Sequence, residues 1–550
     1  MKRLLWLLLP CIYSQAAQAQ PWNNKTHLTR QDTLRGSITP ERAWWDVLRY
    51  DLCIQPSFTA RTLAGHNNIT YKVLQSQRTA RMQVDLRSPL HIDSALINHQ
   101  EHVPFAREGD VWYLHLKTQN KNAVNTITIY YSGRPHEAAQ PPWDGGWIWG
   151  EDSLHRPWMT VACQGIGAST WYPCKDHQGD EPDNGASLAI RVPDTLAAIA
   201  NGRLQSKRQH PDHTVTYKWA VTNPINNYNL CPYIGKYMSI DTVYQGQNGH
   251  LSMRYHVLDY NYQKARAHLL PHSFLVMECF EHWFGPYPFY EDGYQLVDAP
   301  GYGMEHQSAI AYGNGYRNGH HGRDYSGTGW GMQWDFLLVH ESAHEWFGNN
   351  ITARDPADKW IQESFACYAD VLYMKDLISD AAGSTYVIGT RRNIRNDAPI
   401  TGPYGVGREG SSDMYPKGRN LLHMIRRMIH NDDHFREILT GMNRDFRHQT
   451  VTSRQIEDYL IARSGIDLSP VFDQYLRTPQ VPVFEYRIGG RTLAYRFTNC
   501  VPHFSMPLLI KAGGEHWITP RASWQELTLP HNIHTITVDS CFYVGVQARL

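Results

Sequence analysis

The sequence predicts a multidomain α+β protein, and three observations carry that expectation. The chain has 550 residues, more than one hydrophobic core organises, so about two to four domains are expected. From about Trp44 to Tyr237, short apolar–polar alternations lie between turn residues, the mark of half-buried strands. From about Asn261 to Leu476 the apolar period lengthens to that of helices, and beyond Arg477 short strands return. The layout is a β-rich N-terminal domain, a mainly α domain and a small C-terminal β module.

Bulk composition is that of an ordinary globular protein, with 42% apolar and 19% charged residues. Lys plus Arg and Asp plus Glu each number 52, so no net field draws the chain to nucleic acid or to an anionic membrane surface.

The first residues stand apart from the fold. "MKRLLWLLLPCIYSQAAQAQ" has Lys2 and Arg3, an apolar run from Leu4 to about Tyr13, and then Ala17-Gln18-Ala19. That is a secretory signal peptide, residues 1–19, with cleavage expected after Ala19. Pro10 argues against a lipid anchor on Cys11. No later window is long and apolar enough for a membrane helix, so an exported, soluble protein (periplasmic or secreted) is expected. Eight cysteines remain after the leader; Cys500 and Cys541, close in sequence, are the one candidate disulfide pair.

Residues 20–240 are assigned to the β-domain, where "DVWYLHLKT" and "NTITIYYSG" alternate cleanly. Residues 241–476 form the mainly α domain. There "MQWDFLLVHESAHEWFG" predicts a helix ending at Gly348-Asn349. The next helix starts from Asp355-Pro356, an N-cap and first-turn pair, with an apolar stripe through Ile361, Phe365, Ala369 and Leu372. Two prolines in "RTPQVPVFEYR" mark a linker to the β module, residues 477–550.

The chemistry concentrates in "VHESAHEWFGN". His340 and His344, four residues apart, project from one helix face and reach one ion. Glu341, one step round, can lean over a water on that ion as a general base. Apolar residues surround the motif, and bare polar groups there would cost about 2–7 kcal/mol without partners, whereas a metal satisfies them. Glu363, nineteen residues beyond His344 on the following helix, returns to the histidines as a third ligand. Two imidazoles and a carboxylate leave zinc an open position, as catalytic sites require.

"HESAHEWFGN…WIQESFACYAD" resembles the zinc aminopeptidase family typified by aminopeptidase N, to which a leukotriene-epoxide hydrolase also belongs. "GASTWYPCKDHQGDEPDNGASLAIRVPDTLAAIANGRL" resembles that family's N-terminal domain, and the likeness spans most of residues 44–476. It implies a saddle-like β-domain, a thermolysin-like catalytic domain with one zinc per chain, and a β-sandwich-like C-terminal module. "YGMEH" resembles the family's G-x-M-E-N motif, which implies that Glu305 binds the substrate's α-amine beside Gly303 and Met304. His306 stands where asparagine is usual, and Tyr302 where glycine is. Gln164 matches a position near the amine, and Tyr415, in "MYPKG", matches the donor to the oxyanion.

The expected protein is an exported zinc aminopeptidase acting on peptides with a free N-terminus. A buried carboxylate at Glu305 would be left unpaired by an internal peptide NH, which favours chain ends. Two rivals stay open. One is an endopeptidase or epoxide hydrolase on the same zinc chemistry. The other is a non-catalytic zinc-containing binding protein, against which Glu341 and Tyr415 both speak, since a structural site requires neither.

Overall fold

The computed structural model describes residues 27–300 and 303–549. The leader, Cys11 and Tyr302 lie outside the described residues. The expected order holds: β-rich, then mainly helical, then β. Among the described residues no helix is long and apolar enough to cross a membrane.

The N-terminal region is built on an eight-stranded sheet. Its centre is Trp45–Ser57, antiparallel to Thr62–Val73 with Leu52 opposite Asn67 and parallel to Ala186–Pro193. Alternation decides the faces: Trp45, Val47, Leu52 and Ile54 point into a core that also holds Ile127, Ile129 and Trp171. "DVWYLHLKT" and "NTITIYYSG" become the strands Val111–Leu116 and Val124–Gly133.

The strand Tyr237–Gly246 straddles residues 240 and 241 and pairs along its length with Gly249–Leu258. Tyr294–Asp298 and Ile310–Tyr312 complete that sheet in parallel. Helices pack behind it. Trp360–Leu377 is buried nearly all round as far as Met374, so it runs through the core rather than over it. Its start comes later than expected: Asp355 caps a separate 3-10 turn, Pro356–Asp358, and the α-helix itself begins at Trp360. The preceding helix is shorter than expected. It spans Phe336–Ala343, with His344 at the C-cap, and the chain then turns so that Gly348 N–H donates to Ile351 O at 2.9 Å.

The C-terminal module forms two sheets of four and three strands. Its Phe484, Phe497, Leu508 and Ile510 belong to the same apolar cluster as Trp346 and Phe365 of the helical domain. Tyr475 Oη donates to Tyr543 O at 2.6 Å, and Arg427 pairs with Asp539 at 2.7 Å. Cys500 and Cys541 both carry free thiols, as do the other six cysteines described. The candidate pair is thus not bonded; an even count permits pairing but does not bring sulfurs together.

At the other end, the short helix α1 (Arg30–Gly36) clasps two domains. Arg30 pairs with Glu108 of the β-domain, and Asp32 with Arg408 of the helical domain. A Cβ on Gly36 would fall 2.0 Å from the Gly407 nitrogen, so only glycine allows this approach.

Candidate active site

The helix α2 (Phe336–Ala343) is started by Asp335, whose side chain accepts from Leu338 N–H at 3.2 Å. Leu338 and Val339 anchor it in the core, which leaves His340 and His344 on one buried face. Phe336 stacks on His340, with ring centroids 5.2 Å apart. His344 Nδ1 donates to Phe347 O at 2.9 Å, which sets its tautomer and leaves Nε2 with a free lone pair.

The helix α3 (Trp360–Leu377) packs against α2 and presents Glu363. Its Oε2 lies 3.5 Å from His344 Nε2 and 3.8 Å from His340 Nε2. One ligand atom from each of these three residues lies within 4.8 Å of the others, and all three side chains are buried. Burial holds the His340 imidazole down to about 4, so it is neutral at pH 7 and offers a lone pair. Two imidazole nitrogens and a carboxylate converging at a buried point fit a zinc ion. The residues expected to hold the metal are thus brought together.

Glu341 lies one step round the helix, and burial, then the carboxylates of Glu305, Glu363 and Asp370, push its pKa well up. Gly303 abuts it directly. Met304 forms a two-way backbone bridge with Ala311, at 3.3 and 2.9 Å, which fixes the next residue. That residue, Glu305, is 3% exposed. Its Oε1 accepts from Gln164 Nε2 and, at 3.1 Å, from Tyr228 Oη, while its main-chain oxygen accepts from Asn349 at 2.9 Å. Atoms of Glu305, Glu341 and His344 form a second group within 4.8 Å. His306 points elsewhere: its Nδ1 donates to Tyr233 Oη at 2.6 Å, and Tyr233 donates to Ala309 O. Its departure from asparagine is therefore absorbed by local packing.

Tyr415 heads the helix α4 (Pro416–Ile429). Burial, then the charges of Glu363 and Glu409, raise its phenol well above the usual range, so it remains a donor. The glycine of "YPKG" has a packing cause: a Cβ on Gly418 would lie 1.9 Å from Ser364 Oγ, so glycine lets α4 close against α3. Lys417 donates to Thr478 O at 3.0 Å and is structural.

Sequence reasoning missed several contributors. Tyr228 bonds both Glu305 and, at 3.0 Å, Gln362. Glu345 accepts from Tyr287 Oη at 2.7 Å and Ser308 N–H at 2.9 Å, tying α2 to the segment carrying Glu305. Lys359, Asp370 and Glu409 crowd the metal ligands. Glu345 could have been suspected from its place beside His344; the others lie in runs with no distinguishing pattern.

The chain is similar to known peptidases in sequence and in fold. Residues 47–228 match the family profile "Peptidase M1 N-terminal domain", and residues 331–475 match "Peptidase family M1 domain". The chain is 29% identical over 171 residues to aminopeptidase N of Lactococcus lactis, covering 28% of this chain and 20% of that one. It is 21% identical over 359 residues to probable aminopeptidase 1 of Saccharolobus solfataricus, covering 62% of this chain and 44% of that one. The chain thus spans less than half the length of these two relatives. Its fold is similar to that of the M1 zinc metallopeptidase of Deinococcus radiodurans, with TM-score 0.67 at 19% identity, covering 81% of this chain and 97% of that one. Another structure of that protein, a mutant bound to a Tyr-Ser-Ala substrate, aligns with TM-score 0.65 at 18% identity over 81% of this chain and 97% of its own.

Proposed function

Since the chain belongs to the M1 family of zinc metallopeptidases, that of aminopeptidase N, we propose that it is an aminopeptidase releasing the first residue of peptides. The observation that carries this reading is the spacing of Glu305, Glu341 and His344, whose ligand atoms lie within 4.8 Å of one another. An ammonium held at Glu305 then lies about one residue from the attacking group, so the bond beside the first residue is the one presented.

His340, His344 and Glu363 would hold the zinc, which when bound supplies a Lewis acid that lowers the pKa of a water and polarises a carbonyl. Glu341 takes the proton from the attacking water and later delivers it to the leaving amine. Its carboxyl is made strongly basic by burial and by Glu305. An ammonium at Glu305 offsets part of that negative field.

Gln164 and Tyr228 both bond Oε1 of Glu305, which leaves Oε2 to face the amine. Those bonds hold the carboxylate in one orientation, and a substrate without a free amine meets an unpaired buried charge. Gly303 and Met304 supply the close wall along which the first residue lies. Tyr415, protonated at every physiological pH, donates to the oxygen that becomes negative as the water adds.

The reading extends to export, supported by the charge and apolar pattern of residues 1–19. N-terminal sequencing of the secreted or periplasmic product should begin at Gln20.

A panel of amino-acid amide fluorophores, assayed with and without a chelator, tests the activity. Hydrolysis of at least one amide, abolished by the chelator and restored by zinc, is the expected result. Equal hydrolysis of an N-acetylated peptide would refute the exopeptidase reading and favour an endopeptidase.

A further inference from the structure

Glu363 divides its two oxygens between different partners. Oε2 faces the histidine Nε2 atoms at 3.5 and 3.8 Å, whereas Oε1 faces Lys359 Nζ at 3.5 Å. Lys359 sits four residues ahead of Glu363, a spacing that brings side chains onto one face. It is 9% exposed, an unusual place for an ammonium. Its other partner is Glu409, whose Oε2 accepts from Lys359 Nζ at 2.8 Å and which lies on a loop where the preceding residue, Arg408, pairs with Asp32 of α1. The lysine is thus held from outside and aimed at the back of a metal-ligating carboxylate.

A carboxylate can meet a metal through one oxygen or two. With two imidazoles and a water or substrate oxygen already present, a second carboxylate oxygen would raise a four-coordinate ion to five and crowd the corner that water or substrate needs. An ammonium on Oε1 removes that option.

We propose that Lys359 is a positioning residue that keeps Glu363 a one-oxygen ligand, with Glu409 holding the ammonium in place. The proposal rests on the zinc reading above. It follows that Lys359 opposes metal affinity, since it is a cation beside a dication, while it preserves the open coordination position.

The test uses the full-length protein loaded with cobalt(II), whose visible absorption weakens as coordination number rises. Lys359→Met should lose about half of the band intensity or more as Glu363 closes onto the ion. The double variant Lys359→Met/Glu409→Gln, which leaves no buried charge unpaired, should show the same loss. Zinc competition against a chelator should give both variants an affinity equal to or tighter than that of the unaltered protein. A merely structural lysine would instead leave the spectrum unchanged, or weaken zinc binding by about tenfold or more in the double variant; either result overturns the proposal. Failure of the unaltered protein to take up cobalt or zinc at all would strike down the metal site itself, a different outcome.

Discussion

Gly303 lies so close to Glu341 that a Cβ added to it would fall 2.5 Å from Oε1 and 2.7 Å from Cγ. No real side chain survives at such separations, so this glycine leaves room for the base. Gly303→Ala must push the Glu341 carboxyl aside, and a displacement of about 1 Å costs about 100-fold in rate. We expect kcat to fall by that order while zinc content, measured by atomic absorption, stays at one per chain. Glu341→Gln should likewise keep zinc and lose about 100- to 10,000-fold in turnover. Unchanged turnover in the glutamine variant would rule out Glu341 as the base.

The amine anchor should show itself in discrimination. Glu305→Ala is expected to lose about 2–5 kcal/mol in kcat/KM on free-amine substrates. Any residual action on N-acetylated peptides should not fall in step. Tyr228→Phe removes one donor to the same carboxylate and should cost about 1 kcal/mol. The ratio of kcat/KM for paired free and acetylated substrates reads both effects; a ratio unaltered by Glu305→Ala would remove the residue from amine recognition.

Tyr415→Phe should lower kcat by about 100- to 1,000-fold, with KM nearly unchanged, because the bond it supplies strengthens only as negative charge develops. The sign of its titration is fixed by its surroundings: burial first, then neighbouring carboxylates, disfavour the phenolate and raise the pKa. The phenol therefore stays protonated. Alkaline limbs of the pH–rate profiles of the native and phenylalanine forms should superimpose up to about pH 10.

Helix packing beneath the site makes a separate prediction. Because a Cβ on Gly418 would sit 1.9 Å from Ser364 Oγ and 2.7 Å from its Cβ, Gly418→Ala should destabilise the protein by about 1–3 kcal/mol. Adding Ser364→Gly removes both opposing atoms and should recover part of the loss. Thermal unfolding of the single and double variants checks this coupling.

Much of the site was legible because helix geometry converts spacing into proximity. His340 and His344 share a face by periodicity alone, and Glu363 joins them because a short connection forces the next helix to return. What was hidden depends on tertiary approach. Lys359 reads as an ordinary charged residue at a helix start, and only the loop bearing Glu409 makes it a buried ion pair. Tyr228 is one of 32 tyrosines, and no local pattern marks it as a neighbour of Glu305. The end of α2 was misread for a related reason. Gly348, at φ 134, serves a tight turn held by Ile351 rather than a helix cap, and the strand that follows, Ile351–Ala353, pairs with distant Gln449–Val451. Cys500 and Cys541 show the same limit, since sharing one short region of sequence says nothing of where thiols point.

The apolar cluster that runs unbroken from Trp346 and Phe365 into Phe484 and Ile510 makes the proline-marked linker a seam in the sequence but not in the solid. A chain cut there would expose oily surface on both fragments, so a trimmed enzyme ending near residue 476 should aggregate rather than work in miniature. Anyone engineering this protein should treat its last seventy-odd residues as foundation, and graft tags or fusions beyond them.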